Sequence, residues 1–446
     1  MTTTDPGTGA PFTAETFQNE YLVEGADTVD AVVTVTAAGD PSASGTATTA
    51  PGDRAEIIVI DTSGSMGAGR KLPAAREAAS AAVDTLDDGV RFAVVEGAHQ
   101  ARMVWPLQPE LGVASAETRK TAQAAIRALD ADGGTAIGTW LQAAQRLFEA
   151  TPATARHAIL LTDGRNETET PAELAAAVEA CRGLFQCDCR GVGVDWVVEE
   201  LRGIASALLG TVDIVADPDD LAEDFRAMIS SSQSRSVPDV KLRLWTPQGA
   251  VIESVRQVAP EVLDLSSSGT ASGPQAHDFL LGGWAPGEVR DYHLRVTVVP
   301  GAVGDEMLAG RVSLVLGDGT VATQALIRAV WTDDHELSTR MDRHVAHYTG
   351  QVELADAIQS GLAAAKAGDE ATATVKLGRA VQLATASGHD DTLRLLGKVV
   401  DVADAESGTV KLKPAAGQAA EMTLDTRSTR TVRLDKKKPG AKGGGS

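Results

Sequence analysis

Aromatic residues make up only 4% of this 446-residue chain, so its cores must be built from small and branched aliphatic side chains. Hydrophobic residues together reach 43%, enough to fill the two or three domains that this length allows. Basic charge is scarce as well: 40 lysines and arginines face 61 aspartates and glutamates, a net charge of −21. A surface of that sign repels phosphate backbones and anionic lipids, so the expectation is no nucleic-acid and no membrane partner. No apolar run approaches the roughly 20 residues needed to cross a bilayer. The opening Met1-Thr2-Thr3-Thr4-Asp5-Pro6 has neither the basic nor the apolar region of a secretion signal. A cytoplasmic location is the expectation that follows. Cysteine is limited to Cys181, Cys187 and Cys189. No fourth ligand at zinc-site spacing accompanies them, His157 being the nearest upstream histidine, so they read as reduced core thiols.

The order of patterns divides the chain. Residues 1–28 are rich in Thr, Gly and Pro and are expected to be disordered. Residues 29–36 (VDAVVTVT) read as a strand, and 37–54 as a Pro/Ser/Gly/Thr linker. From 55 to 235, strands and helices alternate, with strands expected at 56–60, 91–95, 102–107, 157–162, 190–194 and 212–216. Strand–helix alternation with nearly continuous apolar strands of this kind implies a mostly parallel sheet covered on both faces, an α/β fold. Residues 237–332 change to strands separated by turn signals such as Pro247-Gln248-Gly249, a small β-sandwich that the strand at 29–36 should join. Residues 335–405 carry helical periodicity, with Leu354, Ile358 and Leu362 on one face and Val375, Leu377 and Ala380 on another. This C-terminal helical bundle gives way at 406–446 to a polar stretch ending in Lys436-Lys437-Lys438, expected to be a flexible basic tail.

Three segments end apolar strand-like runs, or precede a helix, with oxygen-bearing side chains. They are Ile60-Asp61-Thr62-Ser63-Gly64-Ser65, Gly133-Gly134-Thr135 and Leu161-Thr162-Asp163-Gly164. In an open parallel sheet, the loops at the carboxyl ends of the strands gather at the topological switch point. Asp61, Ser63, Ser65, Thr135 and Asp163 would then supply two carboxylates and three hydroxyls around one point. Such a set suits a hard divalent cation, Mg2+ first, with Mn2+ or Ca2+ as alternatives. Asp132 beside the Thr135 loop and Asn166 after Asp163 are candidates for an outer shell, Asn166 by orienting Asp163.

Asp-x-Ser-x-Ser, a downstream Gly-Gly-Thr and a later Thr-Asp-Gly resemble the metal-ion-dependent adhesion site of the von Willebrand factor type A family, over about residues 55–235. The resemblance implies that Ser63 and Ser65 are direct ligands, with Thr135 direct or water-mediated and Asp61 and Asp163 acting through waters. It also implies a Rossmann-like, doubly wound, mostly parallel sheet with one antiparallel edge strand, and a function: a scaffold whose metal grips a carboxylate of a protein partner. The whole chain resembles cytosolic actinobacterial proteins of this type, which implies a serine/threonine kinase or a forkhead-associated domain as partner. Thr423, Thr426, Thr429 and Thr431 in the expected tail are then candidate phosphorylation sites. The alternative within the family is an accessory subunit of an AAA+ or chelatase-type ATPase. A metal-dependent hydrolase is less favoured, because no histidine falls in the three loops and no Gly-x-Ser-x-Gly elbow surrounds Ser65. The expectation is therefore a protein without enzymatic activity.

Overall fold

The run Ile57-Ile58-Val59-Ile60 lies at the centre of a sheet because both of its faces are covered. Ile57 and Val59 enter one helical layer and Ile58 and Ile60 the other, each 2% exposed or less. The computed structural model describes residues 11–39, 49–413 and 417–434. Its first elements are β1 (Phe12–Gln18), β2 (Tyr21–Val23), β3 (Thr28–Ala37), β4 (Arg54–Asp61), α1 (Lys71–Thr85), β5 (Arg91–Gly97), β6 (Ala101–Trp105) and β7 (Gly112–Val113). They continue with α2 (Ala116–Arg127), α3 (Ile137–Glu149), β8 (Ala155–Thr162), α4 (Pro171–Cys181), β9 (Gln186–Val192), α5 (Val198–Ala207), β10 (Val212–Val215) and α6 (Leu221–Ser234). Next come β11 (Val237–Trp245), β12 (Val251–Ala259), β13 (Leu263–Asp264), β14 (Thr270–Gly273), β15 (Ala276–Trp284), β16 (Val289–Thr297), β17 (Glu306–Val315) and β18 (Val321–Thr332). Helices α7 (His335–Ser338), α8 (Arg343–Lys366), α9 (Glu370–Ser387) and α10 (Asp390–Val399) follow. The hairpin β19 (Val400–Asp404) and β20 (Thr409–Leu412) and helix α11 (Gln418–Thr426) come last.

The α/β unit is a sheet of order β10-β9-β8-β4-β5-β6, with β7 added to β5. Strands β10, β9, β8, β4 and β5 run parallel, and β6 and β7 pair antiparallel with β5. The chain passes from β4 to β5 on one side and returns to β8 on the other, so the switch point lies between β4 and β8. Alanines let α1 approach the sheet closely: Ala74, Ala75, Ala78, Ala79 and Ala82 are all buried against it. That packing is how a chain so poor in aromatics fills its core.

The sandwich consists of β1-β3-β16-β12-β13 facing β14-β15-β11-β17-β18-β2. Strand β3 pairs with β16, so the α/β unit interrupts the sandwich in sequence. Val29, Ala31, Val33 and Val35 of β3 point into the inter-sheet core, and Val32 points outward against Tyr348 of α8. Helices α8, α9 and α10 pack around Leu354, Ile358, Leu362, Leu377 and Val381. Among the described residues no helix is long and apolar enough to cross a membrane.

Several expectations need correction. Part of the N-terminal stretch expected to be disordered forms β1 and β2, because Phe12 seats edge-on against Trp284 in the sandwich core (5.4 Å between ring centroids). Residues 1–10 and 40–48 lie outside the described residues, so the linker is seen only at its ends. Strand β9 begins at Gln186, not 190, because Asp188 and Arg190 interrupt its apolar pattern while being buried and paired. Strand β15 has no clear signal in the sequence: Asp278 is satisfied by Arg243, and Gly282-Gly283 break the alternation. Val375, expected inside, is 71% exposed, and the buried face of α9 is instead Ala373, Leu377, Ala380, Val381 and Ala384.

The largest correction concerns 406–446. Residues 417–434 form a strap that touches all three units. Met422 enters the α/β core, and Leu424 enters the helical core. Arg427 and Arg430 hold Asp213 at 3.0 and 2.5 Å, and Asp425 takes Arg202 at 2.6 Å. The Thr429 carbonyl accepts from Val262 N–H (2.7 Å), Thr431 N–H donates to Pro260 (3.0 Å), and Arg433 makes a two-pronged bond to Asp291 (2.9 and 3.0 Å). His389 and His347 meet the Arg430 and Val432 carbonyls at 2.9 and 2.7 Å. The candidate phosphorylation sites are therefore not on a free tail. Thr426 is 2% exposed with its hydroxyl on Met422 O, Thr423 donates to Ala419 O, Thr431 to Pro260 O, and Thr429 is half-buried within the strap. Residues 435–446, with the lysine run, lie outside the described residues.

Candidate metal centre

Asp61 ends β4 and Asp163 follows β8, and these adjacent parallel strands are in register at Ile60 and Leu161. Both carboxylates are therefore delivered to the switch-point crevice, and both are fully buried. Asp61 Oδ1 accepts from the Ser63 N–H at 2.7 Å and Oδ2 from the Thr162 hydroxyl at 2.5 Å. The chain then makes one tight turn, Gly64–Gly67, which lifts Ser65 to the surface. Ser63 Oγ and Ser65 Oγ lie 3.0 Å apart, and the Ser65 hydroxyl donates to Asp163 Oδ1 at 2.6 Å.

Thr135 arrives from the loop between α2 and α3. The Gly133 carbonyl accepts the Gly64 N–H (2.9 Å), and Asp132 N–H donates to the Thr62 carbonyl (2.7 Å), which sews this loop to the first. Gly133 has φ +86°, a backbone conformation that favours glycine, and a Cβ there would also press on the exposed His99 ring at 2.8 Å from Nδ1. The Thr135 carbonyl accepts from the Thr168 hydroxyl and backbone at 2.8 and 3.1 Å, tying the second loop to the third. A Cβ on Gly164 would lie 3.3 Å from Thr135 Oγ1 and 3.6 Å from Ser65 Oγ. The two hydroxyls thus converge over a glycine floor that any side chain would fill.

All five residues singled out from sequence are brought to one crevice. The outer-shell candidates act differently than expected. Asn166 Oδ1 accepts the Ile137 N–H at 3.0 Å, so it caps α3 and fixes the Thr135 loop, not Asp163. The exposed Asp132 carboxylate accepts its neighbour's Gly133 N–H at 2.9 Å and contributes through its backbone. Sequence reasoning missed Lys71, whose ammonium donates to Asp163 Oδ2 at 2.7 Å and reaches Asp195 at 3.4 Å. A signal did exist: Arg70-Lys71 places basic charge at a helix start, against the dipole, which calls for a nearby carboxylate.

Burial drives the Asp61 carboxyl above its ordinary value, aided by the charge of Asp163 and opposed by the Ser63 and Thr162 hydrogen bonds. Burial is the largest single influence on Lys71 and would lower it, yet its hydrogen bonds to Asp163 and Asp195 and their negative charges together outweigh that and hold the ammonium above its usual range. The donor set fits a hard cation. Adjacent ligands on a magnesium octahedron with bonds of about 2.1 Å stand about 3.0 Å apart, and the two serine oxygens stand 3.0 Å apart.

Fold and crevice together define a class: an open α/β sheet presenting hydroxyls and carboxylates at its switch point. The chain belongs to the von Willebrand factor type A family. A von Willebrand factor type A domain profile matches residues 56–214, and a von Willebrand factor type A C-terminal domain profile matches 382–428. The latter region contains α10, β19, β20 and most of the strap. A solved von Willebrand factor type A protein from Catenulispora acidiphila is 48% identical, covering 97% of this chain and 99% of its own, with a TM-score of 0.89. The ArnB paralog VWA2 from Sulfolobus acidocaldarius shares the fold at 14% identity, covering 94% and 97% of the two chains, with a TM-score of 0.55. The uncharacterized protein sll0103 of Synechocystis is 30% identical over 215 residues, 47% of this chain. The present chain spans about half the length of that curated relative (49%).

Proposed function

We propose that this chain is a non-enzymatic interaction module that holds a divalent cation, magnesium first, and through it grips a carboxylate of a protein partner. Ser63, Ser65 and Thr135 would hold the ion directly, with Asp61 and Asp163 behind them. When bound, the ion supplies a Lewis-acidic position open to an anionic oxygen. The observation that carries the reading is the convergence of the Ser65 and Thr135 hydroxyls over Gly164, with the Ser63 oxygen 3.0 Å from that of Ser65.

The chain's own residues prepare the site. Asp61 spends both oxygens on fixing Ser63 and Thr162, so it sets the loop and adds negative charge from below. Asp163 orients the Ser65 hydroxyl by accepting its proton, which turns the lone pairs of that oxygen away from the carboxylate. The serines are not set up as nucleophiles: Ser63 pairs with Ser65, and Ser65 donates to a carboxylate whose other oxygen is held by an ammonium.

The test is capture of partners from the source cell on immobilised full chain, with magnesium or with EDTA, alongside a Ser63→Ala/Ser65→Ala variant. Partners lost with both EDTA and the variant support the reading. Partners retained through both sink it.

A further inference from the structure

We infer that Lys71 is a resident counter-cation of the proposed metal site, and that by neutralising Asp163 it weakens divalent-ion binding and makes an anionic partner necessary for tight capture. This rests on the metal-binding reading above. Its own observation is the placement of the Lys71 ammonium 2.7 Å from Oδ2 of a carboxylate that has no solvent exposure.

Each carboxylate oxygen in the crevice already has one donor. Asp61 takes the Ser63 N–H and the Thr162 hydroxyl, and Asp163 takes the Ser65 hydroxyl and the Lys71 ammonium. Three of these donors are neutral, so the formal charge of the crevice falls from two negatives to one through Lys71 alone. The side chain of Lys71 is 19% exposed and passes alongside Gly193, where a Cβ would make ordinary contact with Lys71 Cε at 3.4 Å. Asp195 lies 3.4 Å from the same ammonium and is 68% exposed. Lys71 can therefore shift its charge toward Asp195 when a second cation shares Asp163. A divalent ion arriving here meets a site with less negative charge than its ligands suggest. It keeps more of its own positive charge for an external carboxylate.

The experiment is calorimetric titration of magnesium into the EDTA-stripped full chain, comparing wild type with Lys71→Met, Lys71→Gln and the charge-keeping Lys71→Arg. The neutral variants are expected to bind magnesium about tenfold or more tightly, and Lys71→Arg to stay within a few-fold of wild type. A second measurement needs no neutral variant: the Lys71 side-chain ammonium resonance of the wild type, assigned by its loss in Lys71→Arg, should shift as magnesium is added. Wild type and neutral variants that all bind no magnesium overturn the metal reading itself. Wild type that binds magnesium, with neutral variants binding no more tightly or with a Lys71 resonance that stays unchanged at saturation, overturns the inference alone.

Discussion

At the end of the sheet opposite the crevice, His157 is buried between two carboxylates, and replacing it should have a large, pH-dependent cost. Its Nδ1 lies 2.7 Å from Glu56 and its Nε2 2.9 Å from Asp188, and all three residues are 4% exposed or less. Only the doubly protonated ring can donate to both partners. Burial alone would push the imidazolium down, but Glu56 and Asp188 outweigh it and raise His157 from 6.5 to about 9. At about 1.4 kcal/mol per tenfold, that rise is worth about 3 kcal/mol. The sign follows from linkage: a folded-state value above the unfolded one gives stability that is full below pH 6.5 and lost as pH climbs through about 9. His157→Gln leaves two buried carboxylates facing each other without the cation that sits between them, a loss of about 3–5 kcal/mol near neutral pH. Urea unfolding followed by tryptophan fluorescence at pH 6, 8 and 9.5 measures both effects. Wild type and variant should differ by about 3 kcal/mol or more at pH 6 and converge as the pH passes 9. A gap under about 1 kcal/mol, or one that stays constant across the range, would refute the reasoning.

Two further changes probe the strap and the loop. Arg433→Ala removes the cation paired with Asp291, which is 1% exposed and whose other donors among the described residues are the neutral hydroxyls of Thr34 and Tyr348. It should cost about 2 kcal/mol, and limited proteolysis should then cut near residue 417 sooner than in wild type; equal protection would contradict a stabilising strap. Asn166→Ala leaves the first N–H of α3 without its acceptor, which should cost about 1 kcal/mol in thermal unfolding. It should also weaken metal binding through Thr135, and an unchanged magnesium affinity would show that Thr135 needs no such support.

Much of the α/β unit was legible because strands covered on both faces leave continuous apolar runs, as in Ile57–Ile60 and Ile159–Leu161. The five crevice residues were legible because each loop begins where such a run stops, or where Gly133-Gly134 announces a turn. What stayed hidden depends on pairing across long separations. Asp188 and Arg190 look like surface residues until His157 and Asp224 are seen against them. Thr423–Leu434 reads as polar tail because its partners, Asp213, Pro260 and Asp291, lie far back in the chain. Asn166 sits beside Asp163 in sequence, yet its amide oxygen serves the start of a different helix.

The central claim is that Ser63, Ser65, Thr135, Asp61 and Asp163 hold a divalent cation. Serine variants test it better than Asp61→Ala, which would also orphan the Ser63 N–H and the Thr162 hydroxyl. The most direct measurement is equilibrium titration of Mn2+, followed by its electron paramagnetic resonance signal, into EDTA-stripped wild type and Ser63→Ala/Ser65→Ala. One site per chain in wild type, weakened at least about tenfold in the double variant while its unfolding temperature holds, is the predicted result. A double variant that binds as wild type does, or a wild type that leaves the free-ion signal untouched, would contradict it.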